Sequence, residues 1–277
     1  MQKIIRFSIL VISVIALLAV TNLKVIAQSE YSEQVQTGIN YFKVRADEQL
    51  SLVQELLAAL KTNDLETAQQ AYVNSRPPYE EIEVFAASFP QEDSDIDARP
   101  YAFEQGESSE EFRGFHRIEG FIYRDKNLEA AIPYGEGLVA SVESLINQLN
   151  EPSNFNASLN FQGMITLANE VPSKKISSEE ETWSDQSLLI FKHNWIGIHS
   201  QYEPFAVLVK AKNPAVAAQV EETYQACLKS VEPYFTEGTV AATPFSSLNN
   251  QQRGEIVKAS YQFRDALIEA REVLGLA

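Results

Sequence analysis

Cysteine is almost absent from this sequence. Cys227 is the only one among 277 residues, so no disulfide bond can form within the chain. Stability must therefore come from an ordinary hydrophobic core. Hydrophobic residues make up 45% of the chain, which is enough for one large domain or two small ones. We expect Cys227 to be a small buried hydrophobic side chain.

Positive charge is also scarce. The chain has 22 Lys and Arg residues against 38 Asp and Glu residues, which gives a net charge of −16. Such a chain repels nucleic acid and anionic lipid head groups, because each phosphate contact needs a cation to neutralise it. The same charge attracts cations.

Several motifs of known enzyme classes are missing. The sequence has no H-E-x-x-H zinc-peptidase pattern, no G-x-S-x-G, no phosphate-binding loop and no dinucleotide-binding glycine pattern. His193 and His199 lie six residues apart on one predicted helix, so they point in different directions and are not expected to form a ligand pair. These absences favour a protein that is not an enzyme.

Only one long hydrophobic run occurs, Ile9–Val20, and only Ser13 interrupts it. Basic residues precede the run and the small Ala27 follows it, which is typical of a secretory signal peptide over residues 1–27. An uncleaved N-terminal anchor is the alternative. Without that segment, which holds three basic residues and no acidic one, residues 28–277 carry a net charge of −19.

Apolar residues recur at helical spacing along most of the chain, and no run is typical of a β-strand. The pattern predicts an all-α fold of helical bundles packed side by side. The segment from Pro152 to Asn156 offers a boundary between two four-helix halves, residues 28–152 and 153–277. The predicted helices cover Tyr31–Leu60, Asn63–Ser75, Pro78–Phe89, Phe112–Asn127, Tyr134–Leu149, Leu159–Val171, Trp183–Lys210, Ala215–Val231 and Leu248–Leu274.

Three local features refine the helix boundaries. Asn63 is expected to cap the second helix in a capping box with Glu66. Pro90 to Glu107 is expected to be mostly irregular, with Asp97 in a loop or a short helix. Ser108 or Ser109 is expected to cap the helix that follows.

Two pairs of polar residues have a spacing that suits a metal site. Glu80 and Glu83 lie three residues apart, as do His116 and Glu119, so each pair shares one face of a helix. Asp97 lies between the pairs in sequence. Metal sites in helical bundles use carboxylates and histidines at this spacing. The alternative is that the acids are solvated surface residues and the histidine is a core residue.

Other residues near these pairs have plausible supporting roles. Arg76, Arg99 and Arg117 are candidates to orient carboxylates through bidentate hydrogen bonds. The acidic run Glu179–Glu181 is expected to be a solvated loop that is able to fold back and lend one carboxylate to the site. Tyr79 is expected to pack in the core or to orient a ligand.

The order of these motifs resembles a known family. R-x-x-Y-E-x-I-E from Arg76, I-D-A-R from Ile96, G-F-H-R-I-E from Gly114, K-I-S-S-E-E from Lys175 and R-E-V-L-G-L from Arg271 are similar to the imelysin-like periplasmic proteins of the EfeO and EfeM type. The resemblance covers residues 28–277 and is closest to the shorter members, which lack a cupredoxin-like domain. One departure is the segment Trp183–Phe191, which lacks the His and two Asp that relatives often have.

The resemblance implies two four-helix bundles with a metal site in the cleft between them. It also implies a location in the periplasm, a role in iron uptake, and two partners: a membrane iron permease and a peroxidase-type protein. A monomer is expected. The implied metal ligands are His116, Glu119, Glu80, Glu83, Asp97 and Glu180, with Glu179 as the alternative to Glu180 and with Arg99 and Tyr79 orienting them.

Three functions remain open from the sequence. The first is capture of iron and its delivery to a permease, since carboxylates with one imidazole suit iron, although zinc, copper or manganese also bind such ligands. The second is metal-dependent binding of an acidic polysaccharide. The third is a metallopeptidase of the imelysin kind, with Glu119 as the base.

Overall fold

The computed structural model describes residues 31–151, 154–178 and 180–276. These residues form an all-α fold, and the one β-type contact among them is an isolated bridge between Phe235 and Ala242. The predicted all-α class is confirmed. The predicted signal peptide lies outside the described residues and stays a prediction. The proposed boundary from Pro152 to Asn156, of which Pro152 and Ser153 also lie outside them, stays a prediction too.

Ten α-helices carry the fold of the described residues, joined by shorter helical turns. They are α1 Ser32–Thr62, α2 Leu65–Ser75, α3 Pro77–Ile82, α4 Pro90–Asp97, α5 Phe115–Glu119, α6 Leu128–Gln148, α7 Ala157–Glu170, α8 Ser187–Lys212, α9 Pro214–Val231 and α10 Asn250–Leu274. A 3₁₀ turn, Glu83–Ser88, follows α3, and π-helical turns, Gly120–Asp125 and Val171–Lys175, follow α5 and α7. A short α-helical turn, Ile176–Ser178, follows the second of these, and further 3₁₀ turns are Pro100–Ala102, Gly106–Ser108, Glu232–Tyr234 and Phe245–Ser247.

The junction between α1 and α2 corrects the predicted cap. Asn63 adopts a left-handed conformation with φ 58° and ends α1. Asp64 caps α2 instead, because its side chain accepts hydrogen bonds from the backbone amides of Glu66 and Thr67. An aspartate at this position satisfies amides that the first helical turn leaves without partners.

Two proline positions show how α3 and α6 begin. Pro77 is the first residue of α3, where a proline lacks only an amide hydrogen that would have no helical partner. Helix α6 begins earlier than predicted, at Leu128, because Asn127 caps it through the amide of Ala130. Pro133 is therefore inside α6, not before it.

The approach to α5 differs in part from the prediction. Residues Pro90–Asp97 form a short helix, one of the two forms expected for Asp97, in a segment that was expected to be mostly irregular. Ser109 accepts a hydrogen bond from the amide of Glu111, but α5 begins only at Phe115, after Gly114. Gly114 has φ 81°, and a Cβ atom there would lie 2.2 Å from the carbonyl oxygen of Ile96. Only glycine allows this contact, which brings the end of α4 against the start of α5.

The helices pack in two groups, one formed by helices from α1 to α6 and the other by helices from α7 to α10. Helix α1 packs most extensively on α6 and also on α2 and α3, whereas α9 packs on both α10 and α8 and α7 packs on α10. Helix α8 also packs on α3 and so connects the two groups. Their buried apolar side chains form one contiguous cluster from Tyr31 to Leu274, and Cys227 is buried in it as predicted. The division into two separate halves stays a prediction.

Within the described part of the chain, no helix combines the length and the apolar character that crossing a membrane requires.

Candidate metal centre

Arg76 stands at the centre of a buried polar cluster. It lies between α2 and α3, and its guanidinium group is fully buried. Its three nitrogens lie 2.7 Å from Glu80 Oε1, 2.8 Å from Asp97 Oδ1 and 2.9 Å from Glu181 Oε1. The ring of Phe115 covers the guanidinium at 4.4 Å. One arginine thus holds three carboxylates from α3, α4 and the segment before α8 in fixed positions.

Neighbouring charges and burial shift the pKa values of this arginine and its partners in opposite directions. Burial lowers the pKa of Arg76, but the carboxylates of Asp97, Glu80 and Glu181 outweigh it and hold the pKa above its ordinary value. Burial likewise raises the pKa of Asp97, but Arg76 and Arg99 outweigh it and hold that pKa well below its ordinary range. Burial raises the pKa of Glu80 to about 8, although Arg76 opposes the change.

Beside Arg76, three side chains bring possible metal-ligating atoms together. His116, Glu119 and Glu181 each offer one such atom, and these atoms lie within 4.8 Å of one another. His116 and Glu119 lie on α5 three residues apart, as predicted, and His116 Nδ1 is 3.2 Å from Glu119 Oε2. All three side chains are buried. No other group of at least three His, Cys, Asp or Glu side chains in the described residues meets this geometry.

Backbone amides hold Glu119 in place. Its Oε1 accepts hydrogen bonds from the amide of Trp183 at 2.8 Å and from that of Ser184 at 2.7 Å. Burial raises the pKa of Glu119, but the hydrogen bonds from His116 and from these two amides outweigh it, so the pKa is lowered. Glu119 is therefore ionised and held in a fixed orientation.

Glu181 is positioned by a separate set of hydrogen bonds. Its Oε2 accepts from the hydroxyl of Tyr72 at 2.9 Å and from that of Ser184 at 2.6 Å. Burial and the nearby Glu119 raise the pKa of Glu181. Two carboxylates forced together without solvent repel each other, and a cation between them would relieve that repulsion.

A second part of the cluster surrounds Lys175. The ammonium nitrogen lies 2.7 Å from Glu83 Oε2, 2.9 Å from Glu180 Oε1 and 3.7 Å from Glu80 Oε2. The amide group of Asn194 donates hydrogen bonds to Glu80 at 3.0 Å and to Glu83 at 2.8 Å. Arg76, which also holds Glu80, connects this part to the first.

One network joins the imidazole of His116 with six carboxylates, those of Glu80, Glu83, Asp97, Glu119, Glu180 and Glu181. The structure brings together each residue that the sequence suggested as a ligand: His116, Glu119, Glu80, Glu83, Asp97 and Glu180. His116 Nε2 lies 3.5 Å from Asp97 Oδ1. Four of the six suggested residues, Glu80, Glu83, Asp97 and Glu180, are paired with Lys or Arg side chains. Their role as ligands stays a prediction.

The suggested orienting residues differ in their contacts. Arg99 pairs with Glu180 and lies 3.4 Å from Asp97 Oδ2, and its role in orienting ligands stays a prediction. The Tyr79 hydroxyl instead donates to Asp93 at 2.6 Å. Arg117 stacks over the rings of Phe121 and its neighbours and contacts no carboxylate of the cluster.

Sequence reasoning did not single out Glu181 or Lys175. The run Glu179–Glu181 did suggest a carboxylate that folds back, but Glu180 was favoured and Glu181 was not considered. Glu180 and Glu181 both reach the cluster, whereas Glu179 lies outside the described residues. Lys175 opens the K-I-S-S-E-E motif, which was the one signal available for it.

The other two histidines lie elsewhere. His193 Nδ1 is 2.7 Å from Glu81 Oε1, and His199 Nε2 is 2.9 Å from Glu221 Oε2. They have different carboxylate partners, and the expectation that they form no ligand pair stays a prediction.

The chain is acidic and all-α, and several carboxylates and one imidazole converge in its interior. These features place it in the class of candidate metal-binding proteins. Residues 35–273 match the imelysin family, peptidase M75, and the chain belongs to that family.

Two relatives show how far the similarity extends. The iron uptake system component EfeO of Escherichia coli K12 is 29% identical over 218 residues, which are 79% of this chain and 57% of the relative. The chain thus spans a little over half the length of that relative. The iron uptake system component EfeM of Pseudomonas syringae pv. syringae is 27% identical over 236 residues, which are 85% of this chain and 82% of the relative.

Proposed function

We propose that this protein is an exported, periplasmic metal-binding component of an iron-uptake system. It captures iron at the buried carboxylate–imidazole cluster and passes it to a membrane permease. The observation that carries the proposal is the convergence of His116, Glu119 and Glu181, whose ligand atoms lie within 4.8 Å of one another. The names of its EfeO and EfeM relatives support iron as the cargo.

The chemistry of the cluster fits iron. Carboxylate oxygens are hard ligands and the imidazole of His116 is a borderline one, a combination that binds ferrous and ferric iron. Glu119 and Glu181 supply the carboxylates that converge with the imidazole. Asp97, which lies 3.5 Å from His116, and Glu80, Glu83 and Glu180 surround them as further ligands. Zinc, copper and manganese are competing ions for the same set.

The partners follow from the same role. An iron-binding protein outside the inner membrane needs a membrane permease to receive the ion, and a peroxidase-type protein of the same system is the second proposed partner. The net charge of −19 over residues 28–277 concentrates cations around the exported protein and disfavours nucleic acid. The protein is proposed to act as a monomer.

Binding without catalysis is supported by the contacts of Glu119. A metallopeptidase needs a carboxylate that is free to take a proton from a metal-bound water. Glu119 Oε1 already accepts two backbone hydrogen bonds, and Oε2 faces His116 at 3.2 Å. The side chain is also fully buried. We therefore propose that the chain is not an enzyme.

Calorimetry tests the capture role. Metal-free protein is titrated with Fe²⁺ without oxygen, and wild type is compared with His116→Ala/Glu119→Ala. We expect tight binding by the wild type and a loss of at least about a hundredfold in the double variant, because two ligands disappear. Circular dichroism checks that the variant is folded.

A matched control is available on α8 and α9. His199 and Glu221 form a histidine–carboxylate pair with a similar separation, 2.9 Å, outside the cluster. The variant His199→Ala/Glu221→Ala is expected to bind iron like the wild type. Equal binding by all three proteins, or binding by none, would contradict the proposed site.

Peptide hydrolysis distinguishes the rival function. The iron- and zinc-loaded wild-type protein is incubated with a mixture of unstructured peptides, and we expect no cleavage. Cleavage that depends on metal and disappears in Glu119→Gln would replace the capture role with a peptidase role.

A further inference from the structure

Lys175 carries a buried positive charge that the capture role does not require. Its side chain is 3% exposed, and its ammonium group lies among the carboxylates of Glu80, Glu83 and Glu180. Burial lowers the pKa of Lys175, but the carboxylates of Glu83 and Glu80 outweigh it, so the ammonium stays charged. This group thus occupies a cation position within the set of proposed metal ligands.

Lys175 is held differently from Arg76, the other buried cation beside Glu80. Arg76 is fixed by three carboxylates and by the ring of Phe115. Lys175 ends the π-helical turn Val171–Lys175, and a lysine is a compact charge on a flexible four-carbon chain. The planar guanidinium of Arg76 is fixed on several sides, whereas the flexible chain of Lys175 allows its ammonium group to move.

A cavity lies beside Glu83. It has a volume of about 250 Å³ and is lined by the carboxylate residues Glu83, Asp93 and Glu170. The exposed Ala87 and Pro90 also line it, so it reaches the surface. Glu83 therefore contacts both the cavity and the ammonium of Lys175.

We propose that Lys175 is an internal competitor of the captured metal. Its ammonium group neutralises Glu83 and Glu180 in the metal-free protein, and these carboxylates become available to the metal ion as further ligands when the ammonium withdraws. This inference rests on the proposed capture role. Lys175 keeps the empty cluster stable and lowers the affinity, so that the ion can be released to the next protein.

The physical basis is repulsion between like charges at short range. A metal cation placed on Glu83 or Glu180 would lie within a few ångströms of the ammonium, where the interaction is strong because solvent is excluded. Removing the ammonium has two opposite effects. The carboxylates lose their partner, so the metal-free protein becomes less stable, and they become available to the metal, so binding becomes tighter.

Lys175→Met tests the inference because methionine keeps the length of the side chain and removes its charge. Lys174→Met is the matched control, since Lys174 is the neighbouring residue, is largely exposed and pairs with Glu170. Fe²⁺ affinity is measured by calorimetry without oxygen, and the melting temperature is measured with chelator and with excess Fe²⁺.

The expected result has two parts. Lys175→Met binds Fe²⁺ about tenfold more tightly than the wild type, and it melts at a lower temperature only when metal-free. Lys174→Met resembles the wild type in both measurements. Unchanged or weaker binding by a folded Lys175→Met, beside normal binding by the wild type, would overturn the role of Lys175 and leave the capture role intact.

A second variant covers the case in which Lys175→Met does not fold. Lys175→Arg keeps the charge and adds a planar group that binds carboxylates in a bidentate way. We expect it to bind Fe²⁺ about tenfold more weakly than the wild type, whereas unchanged or tighter binding would overturn the inference. Absence of binding by the wild type itself would overturn the capture role, and with it this inference.

Discussion

Arg76 and Asp97 form an ion pair that solvent does not reach. Arg76 Nη1 lies 2.8 Å from Asp97 Oδ1, and the two side chains are 0% and 3% exposed. The pair joins the start of α3 to the end of α4, and Asp97 in turn lies 3.5 Å from His116 on α5. The candidate metal centre is therefore built on a buried arginine, and its geometry depends on that residue.

Removal of the charge of Arg76 should destabilise the folded protein. We expect Arg76→Met to lower the free energy of unfolding by about 3–5 kcal/mol, because three buried carboxylates lose their partner. Urea denaturation measures the change. Arg113→Met is the control, since Arg113 pairs with Asp95 at the surface and should contribute at most about 1 kcal/mol. Equal effects of the two substitutions would contradict the central place of Arg76.

The glycine before α5 should be needed for both fold and site. Gly114→Ala places a Cβ atom 2.2 Å from the carbonyl oxygen of Ile96 at a φ of 81°, so we expect a loss of about 2 kcal/mol or more in stability and weaker iron binding. Gly137→Ala on α6 is the control. A Cβ atom there meets nothing within 4 Å, and alanine should stabilise an exposed helical position by up to about 1 kcal/mol. Urea denaturation measures the stability of both variants, and calorimetry measures their affinity for iron.

Asp93 should make stability depend on pH. Burial, with a smaller contribution from Glu83, raises its pKa from 3.8 to about 7, although the hydrogen bond from Tyr79 opposes the change. A folded-state pKa above the unfolded one means that the folded protein holds a proton which the unfolded chain has lost. Stability from this group therefore falls as the pH rises from about 4 to about 7.

The isosteric Asp93→Asn isolates that effect. Asparagine remains neutral and can still accept the hydrogen bond from Tyr79, so we expect the variant to be more stable than the wild type by about 2–4 kcal/mol at pH 8 and equally stable near pH 4. Urea denaturation of both proteins at the two pH values measures the difference. A difference that does not change with pH would show that the pKa of Asp93 is the same in the folded and the unfolded protein.

The acidic run before α8 should contain more than one functional carboxylate. Glu181→Gln removes a proposed ligand close to His116, and we expect at least about a tenfold loss of iron affinity. Glu180→Gln acts on the part of the cluster near Lys175 and should cause a smaller loss. Calorimetry compares the iron affinities of the two variants. A loss of affinity confined to Glu180→Gln would show that Glu180, the residue favoured from the sequence, is the ligand and that Glu181 is not.

Local patterns predicted more of the fold than of the site. Helical periodicity predicted the all-α class and placed most helices within a few residues, and the three-residue spacing of His116 and Glu119 correctly put both on one helix. The start of α5 was missed because Gly114 is fixed by a contact with Ile96, which lies 18 residues earlier in the chain. Such contacts leave no periodic pattern.

The parts of the site that sequence reasoning missed share a physical cause. Lys175 and Glu181 lie in a polar segment that is typical of a solvated loop. Their burial becomes evident only when Arg76, Tyr72 and Glu83 approach from distant parts of the chain. A buried charge is stable because of such partners, and the partners cannot be identified from the residues next to it.

The most direct test of the account is X-ray absorption spectroscopy of the iron-loaded protein. We predict an iron ion coordinated by oxygen and nitrogen atoms only, with the multiple scattering typical of one imidazole. That scattering should disappear in His116→Gln and persist in His199→Gln. A spectrum without an imidazole contribution, or one that His116→Gln leaves unchanged, would contradict the assignment of the buried cluster as the place where iron binds.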